Sequence, residues 1–166
     1  MGTKKELKSS KKSSELPASL KASYIGHFAI GMTKIEDEHL HILRGHLLIE
    51  ERLRVLIELK FKKPDALIEA RLTFNQIICI AKAFYWQGGS DWLWEGMMKL
   101  NNIRNRLSHN LTIKNYYEKV DDFLKLVEMN NPDVANTAVK ELSSTSRLFF
   151  AMGCIYCRLC EYIDET

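Results

Sequence analysis

The sequence predicts an all-α protein, an antiparallel bundle of four to five helices. Three observations predict it. The 166 residues include only three Pro and eight Gly, too few turn residues for an all-β design. Apolar residues recur with the helical period, and no segment shows the turn-bounded alternation of a half-buried strand. Strong punctuation at Pro64-Asp65, at Gln87-Gly88-Gly89-Ser90 and at Asn131-Pro132-Asp133 cuts the chain into helix-length pieces. With 46% hydrophobic and 27% charged residues, the composition is that of one soluble globular domain.

The elements follow in order. Residues 1–22 are Lys/Ser-rich and poor in apolar side chains, so they cannot offset their ordering entropy and read as a disordered tail. Such a tail either solubilises the chain or attracts RNA or another polyanion. The folded domain is expected over 23–166. Thr33-Lys34-Ile35-Glu36 has the pattern of a capping box and opens a long helix to about Phe61. Its first half carries a Leu40, Leu43, Leu47 stripe continued by Glu51. Its second half is apolar almost all round, which suits the central element of a bundle. Pro64-Asp65 opens a second helix from about Ala66 to Tyr85. Ser90 or Asp91 caps a third, running to about Asn110. A fourth spans about Lys114 to Glu128. A last helical region ends near Tyr162, with Ser143-Ser144-Thr145-Ser146 able to interrupt it.

No apolar run approaches the roughly 20 residues that span a bilayer. The longest, Leu148 to Cys157, is closed by Arg147 and Arg158 and reads as a buried helix segment. The polar start lacks the apolar core of a signal peptide. A cytoplasmic protein without membrane association is expected. Cys154, Cys157 and Cys160 form a C-x2-C-x2-C run, and Cys79 stands alone. On a helix, residues three apart drift by about 60° each time, so three thiolates would not converge on one ion. Buried, reduced packing cysteines are expected, with no metal. No Gly-rich phosphate loop, nucleophile elbow or zinc motif is present, so no cofactor is expected.

The net charge of +3 hides an asymmetry. Six Lys against two Glu in residues 1–22 leave 18 basic and 19 acidic side chains in the rest. The body is therefore no basic nucleic-acid binder in the bulk sense. One window differs: between Glu95 and Glu118 there is no acid, while Lys99, Arg104, Arg106 and Lys114 are present. Within it lies "NNIRNRLSHN", residues 101–110, with four Asn in ten positions. Asn disfavours helix interiors because its amide competes for backbone partners, and a merely solvated face is usually filled with Lys, Glu, Gln or Arg. On a helical wheel Leu100, Ile103, Leu107 and Leu111 fall within about 80° of one another. Arg104 borders that stripe. Ser108, Asn101, Asn105, His109, Asn102 and Arg106 fill the remaining arc without one carboxylate. Arg104 and His109 lie about 140° apart on a straight helix, so a second copy of the helix packed against this arc would help bring both into one cleft.

Arg104-Asn105-Arg106-Leu107-Ser108-His109 resembles the signature of the HEPN superfamily, an Arg, a polar residue and a His four to six residues after the Arg. Here four residues intervene, and Asn105 is the polar position. The text "LWEGMMKLNNIRNRLSHNL" resembles the motif helix of that family, and "LRGHLLIEERLRVLIE" is similar to the opening helix of several bacterial members. The resemblance covers about residues 33–162 in architecture and is confined to the third helix in specific residues. It implies a compact helical bundle, usually a homodimer whose motif helices line a shared cleft. Many members are metal-independent endoribonucleases of toxin–antitoxin and phage-defence systems. Others are inactive and bind RNA, nucleotides or proteins, as a regulator similar to the mannitol operon repressor family would. Toxins restrained by a nucleotidyltransferase antitoxin often carry a Tyr two residues after the His. This chain has Leu111 there, and Tyr116 and Tyr117 stand at another offset.

Metal-free RNA cleavage uses the substrate's 2′-OH as nucleophile. It needs a proton acceptor and donor, for which His is suited, and a fixed positive charge, which Arg supplies in a planar fork. The expected assignment is His109 as acid/base, Arg104 as charge stabiliser and Asn105 as support, with Arg106 and Ser108 as substrate contacts. RNA is the expected partner, together with a second copy of the chain and an antitoxin or regulatory protein. His39, His41 and His46 do not share one face of the first long helix and read as surface or core residues. Glu51, on an apolar stripe, wants a cationic partner; a motif-helix Arg or an ordinary surface pair would serve. Trp86, Trp92 and Trp94 either stack bases or anchor the helix junction.

Overall fold

In the computed structural model, residues 20–33, 37–86, 88–109, 115–136 and 143–166 are described, those at 109, 135 and 136 by their backbone alone. Among the described residues the protein is all-α, with eight helices and no strand. They are α1 (Ala22–Gly31), α2 (Glu38–Glu58), α3 (Asp65–Glu69), α4 (Phe74–Tyr85), α5 (Trp92–His109), α6 (Tyr116–Asn130), α7 (Pro132–Asn136) and α8 (Ser144–Asp164). The five longest beyond α1 correspond to the elements expected from the sequence. The larger total comes from α1, from the short α7, and from a break within the expected second helix.

That break has a local cause. Arg71 adopts a left-handed φ of 49°, which no helix interior tolerates. Thr73 then caps α4: its hydroxyl accepts from Gln76 N, while the Gln76 side chain accepts from Thr73 N at 2.9 Å. This is a capping box, with two orphan donors satisfied reciprocally. The one expected at Thr33 does not open α2. Asp37 caps that helix by accepting from Leu40 N at 2.9 Å, and the Thr33 hydroxyl donates back to Ile30 O. Residues 34–36 of that motif lie outside the described residues. So do residues 1–19, which hold most of the expected tail. The folded part starts earlier than residue 23, since Leu20 is buried and Lys21 O accepts from Ile25 N at the head of α1.

α2 is central, packing against α1, α4, α5 and α8. Its buried face is Ile42, Gly45, His46, Ile49, Leu53 and Leu56. The Leu40, Leu43, Leu47 stripe is not that face: Leu40 and Leu47 are 57% and 55% exposed. Leu148, Met152, Ile155 and Leu159 of α8 share one core with α2, with Met97, Leu100 and Ile103 of α5 and with Ile77 and Ile78 of α4. Gly45 has a packing reason. A Cβ there would stand 2.3 Å from Met152 Sδ, and Met152 is fully buried. Polar ties fix the periphery. Arg147 of α8 makes a forked contact with Glu128 of α6 at 2.8 to 3.1 Å, and Tyr116 OH donates to Glu38 at 2.7 Å, joining α6 to α2.

Cys154, Cys157 and Cys160 are buried inside α8, as expected for packing residues, and Cys79 is exposed. Burial pushes the Cys157 thiol up to about 12 and raises Cys160 as well. Trp94 is buried and stacked on Tyr162 with centroids 6.3 Å apart, an anchor of the junction, whereas Trp86 is exposed. No helix among the described residues is long and apolar enough to cross a membrane.

Gly45→Val is expected to lower unfolding stability by about 1–3 kcal/mol through overpacking, seen as a lower urea midpoint at unchanged slope. A midpoint equal to wild type would show that the α2–α8 contact has slack.

Candidate functional site

The motif helix is held at its start by Ser90, whose hydroxyl accepts from Trp92 N and donates to Asn130 Oδ1 at 2.8 Å. From there α5 buries Leu93, Trp94, Met97, Leu100 and Ile103, and Leu107 packs half-buried against the core. Leu111 lies outside the described residues. The apolar stripe sits where the helical wheel puts it, so the polar arc is turned outward. Arg104 and Asn105 are half-buried, while Arg106 and Ser108 are exposed. The Ser108 hydroxyl donates back to Arg104 O at 3.1 Å. Arg104 Nη1 donates to Asn105 Oδ1 at 3.1 Å. No ion pair to Arg104 occurs among the described residues. His109 ends α5, and its side chain lies outside the described residues.

Arg104 and Asn105 open onto a cleft of about 570 Å³ between α2, α4 and α5. Asn101 and Asn102 line it from the same helix, His46 and Glu50 from α2, and Thr73 and Asn75 from the start of α4. Arg106 and Ser108 do not line it. Of the five residues expected in a site, the structure therefore gathers two in one cleft and sets two on the outer surface of the same helix.

Two cleft residues lie outside the expected site, Glu50 and His46, the latter being core rather than surface of the two readings the sequence allows. His46 is 2% exposed. Its Nε2 stands 3.2 Å from Asn101 Oδ1; with Nε2 as donor to that oxygen, the neutral ring has Nδ1 as an acceptor. Phe74 packs edge-on against the ring with centroids 4.5 Å apart. Burial pushes the His46 pKa below its ordinary 6.5. The Arg104 charge acts in the same direction, while Glu50 and Asn101 oppose it. Its Nδ1 has no hydrogen-bond partner among the described residues and faces Glu50 Oε2 at 3.8 Å. Glu50 is itself held from the other side. Arg54 donates to Oε1 at 2.6 and 3.2 Å and also to Leu72 O. Glu51, the carboxylate the sequence marked, is exposed and pairs with its neighbour Arg52 at 3.2 Å. One residue along a helix is about 100° of rotation, enough to exchange the cleft for the surface. The readable signal was His46 and Glu50 at i and i+4.

With Glu50 neutralised by Arg54 and His46 uncharged, Arg104 leaves the cleft with a net positive charge among neutral amides. Such a surface suits an anion bearing hydrogen-bonding groups. No group of three or more His, Cys, Asp or Glu placed to hold a metal ion occurs among the described residues. The chain matches no protein-family model, and no significant relative is found for it among curated proteins or solved structures.

The depressed His46 pKa has a sign. Unfolded chains take up a proton near pH 6.5 that folded His46 refuses, so stability is full above that pH and falls as pH drops toward the lower folded pKa. In a nuclear magnetic resonance titration the His46 imidazole should titrate below 6.5. A midpoint at or above that value would show the ring is solvated or ion-paired instead.

Proposed function

We propose that the protein is a metal-independent endoribonuclease of HEPN type, acting on RNA in the cytoplasm as a homodimer paired along α5, and held in check by an antitoxin or another regulatory protein. The observation that carries this reading is Arg104: half-exposed, free of an ion pair among the described residues, flanked by Asn101, Asn102 and Asn105, and open to a cleft. A purely structural helix gains nothing from leaving an Arg unpaired beside three amides. The motif supplies the remaining part, His109, five residues on.

In the proposed reaction His109 takes the proton of a ribose 2′-OH. The 2′-oxygen bonds to the adjacent phosphorus, and the excess negative charge is met by Arg104. The bond from phosphorus to the 5′-oxygen then breaks, and that oxygen takes a proton from an imidazolium. The products are a 2′,3′-cyclic phosphate and a 5′-hydroxyl. Two copies of His109 in the dimer would divide the tasks of base and acid. Asn105, bonded to Arg104, keeps the guanidinium oriented. Arg106 and Ser108, exposed on the same helix, are placed for the RNA backbone outside the cleft. The cleft's carboxylate is committed to Arg54, so the donor set does not favour a bound divalent cation.

The near-neutral charge of the chain beyond residue 22 favours a second reading, a silent module resembling the mannitol operon repressor family that binds protein or nucleic acid. One experiment separates the two. Purified wild type, His109→Ala and Arg104→Ala are incubated with total RNA in EDTA. Cleavage by wild type should leave cyclic phosphate ends, and His109→Ala should slow it about 10²–10⁴-fold. Arg104→Ala should slow it about 10²–10³-fold. Equal cleavage by wild type and His109→Ala, or none by folded wild type free of inhibitor, would shift the assignment to the silent module. Sedimentation should give a dimer at micromolar concentration, and a monomer there would remove the composite site.

A further inference from the structure

We propose that the cleft beside Arg104 is a base-selecting subsite that takes one ribonucleotide with an exocyclic amino group, cytosine, adenine or guanine, and disfavours a base lacking it. The subsite's place on an RNA rests on the nuclease reading above; its preference for a base does not.

Two acceptors face each other here with no donor between them. His46 lines the cleft, and its Nδ1 is buried beside it with no hydrogen-bond partner among the described residues. Glu50 Oε2 stands 3.8 Å from it. The other valences of both groups are spoken for, Nε2 by Asn101 and Oε1 by Arg54. Because His46 is neutral, the pair is not an ion pair. A buried acceptor left open costs about 1–3 kcal/mol, so the arrangement favours a ligand that brings a donor. An NH₂ group carries two N–H bonds diverging from one atom and can satisfy both acceptors at once. A ring N–H reaches one of them, and a carbonyl at that position would repel both.

The rest of the cleft fits the remainder of a nucleotide. Arg104 offers a planar fork for phosphate oxygens. The amides of Asn75, Asn101 and Asn102 present donors and acceptors to base and ribose edges. A volume of about 570 Å³ lies within the range of small-molecule sites. Held there, the base would be out of any stack, which selects unpaired RNA.

The test uses the full chain and four ribonucleotides: CMP, AMP, and the analogue of each in which the amino group is replaced by hydrogen. Binding is followed by amide chemical shifts. At least one amino nucleotide should bind about tenfold tighter or more than its analogue, with shifts at Asn101, Asn102 and Asn105. Glu50→Gln should abolish that discrimination. Its amide oxygen keeps Arg54, and its NH₂ then donates to His46 Nδ1 and fills the place of the ligand. His46→Phe, which keeps ring volume, should do the same. Arg104→Ala should weaken both members of a pair alike. Equal affinity within both pairs, or no binding of any of the four, overturns the subsite even where wild type cleaves RNA. Amino-selective binding without RNA cleavage in EDTA would leave the subsite standing and remove the nuclease reading alone.

Discussion

The packing of α2 against α8, with the end of the Met152 side chain seated over Gly45, is the constraint on which the rest depends. Glycine inside a helix costs about 1 kcal/mol relative to alanine, and α2 accepts that cost at its middle. In return Met152 of α8 lies where a Cβ would be, and Ile42, Ile49, Leu53 and Leu56 close over fully buried side chains. Each such side chain contributes about 1.5–3 kcal/mol on burial. Once that face of α2 is fixed against α8, helical phase fixes every other. His46 follows Gly45 directly, so it falls at the edge of the core, toward α5 and α4. Glu50 lies one turn on, with the same heading. The cleft is thus set by the packing of two helices of which only one contributes to it.

Charge in the cleft follows from who reaches whom. Glu50 is the carboxylate nearest to His46, and it would be the natural partner of Arg104. Arg54 takes it instead, because Arg54 lies one turn away on the same helix and is braced by Leu72 O where the chain enters α4. The turn that supplies Leu72 exists because of the left-handed Arg71 and the Thr73 cap. A local backbone feature some distance from α5 therefore leaves Arg104 uncompensated. In a half-buried site such a charge interacts more strongly with an anion than it would in water.

What the sequence made legible was the helical class, the central place of α2, the extent of α5 and the packing role of the α8 cysteines. Periodicity and strong breakers carry those, and Trp92–His109 differs from the expected third helix by a residue or two at each end. What it hid was decided by competition between equal local signals. Thr33-x-x-Glu36 and Thr73-x-x-Gln76 have the same pattern, yet Asp37 takes the cap in one case and Thr73 in the other. α1 was missed because Gly26 and Gly31 depress its helix propensity next to a Lys/Ser-rich segment, while Ile25 and Phe28 are ordered by burial. The α2 stripe was misread because leucines occur on two faces and the buried one carries Gly45 and His46. The same error concealed the cleft, since a histidine at a core edge and a glutamate one residue from the expected one do not stand out without the partner helices.

The geometry also bears on why one chain would not suffice for the proposed chemistry. Among the described side chains, the histidine that shares a cleft with Arg104 is His46, and it is poorly suited to carry protons. It is buried, its Nε2–H is engaged by Asn101, and its charged form is disfavoured by burial and by Arg104 itself. Protonating it would place two cations together at the edge of the core. An acid/base residue needs the opposite, a ring whose two forms differ little in energy near neutral pH. His109 is the other candidate, and on an ideal helix its position is about 140° from that of Arg104. A straight helix cannot direct both at one phosphate. In the proposed dimer, two antiparallel copies of α5 would turn each arc toward the other and could bring the Arg of one copy to the His of its mate. On the proposed reading, base recognition would belong to the cleft within a chain and bond breaking to the seam between two chains.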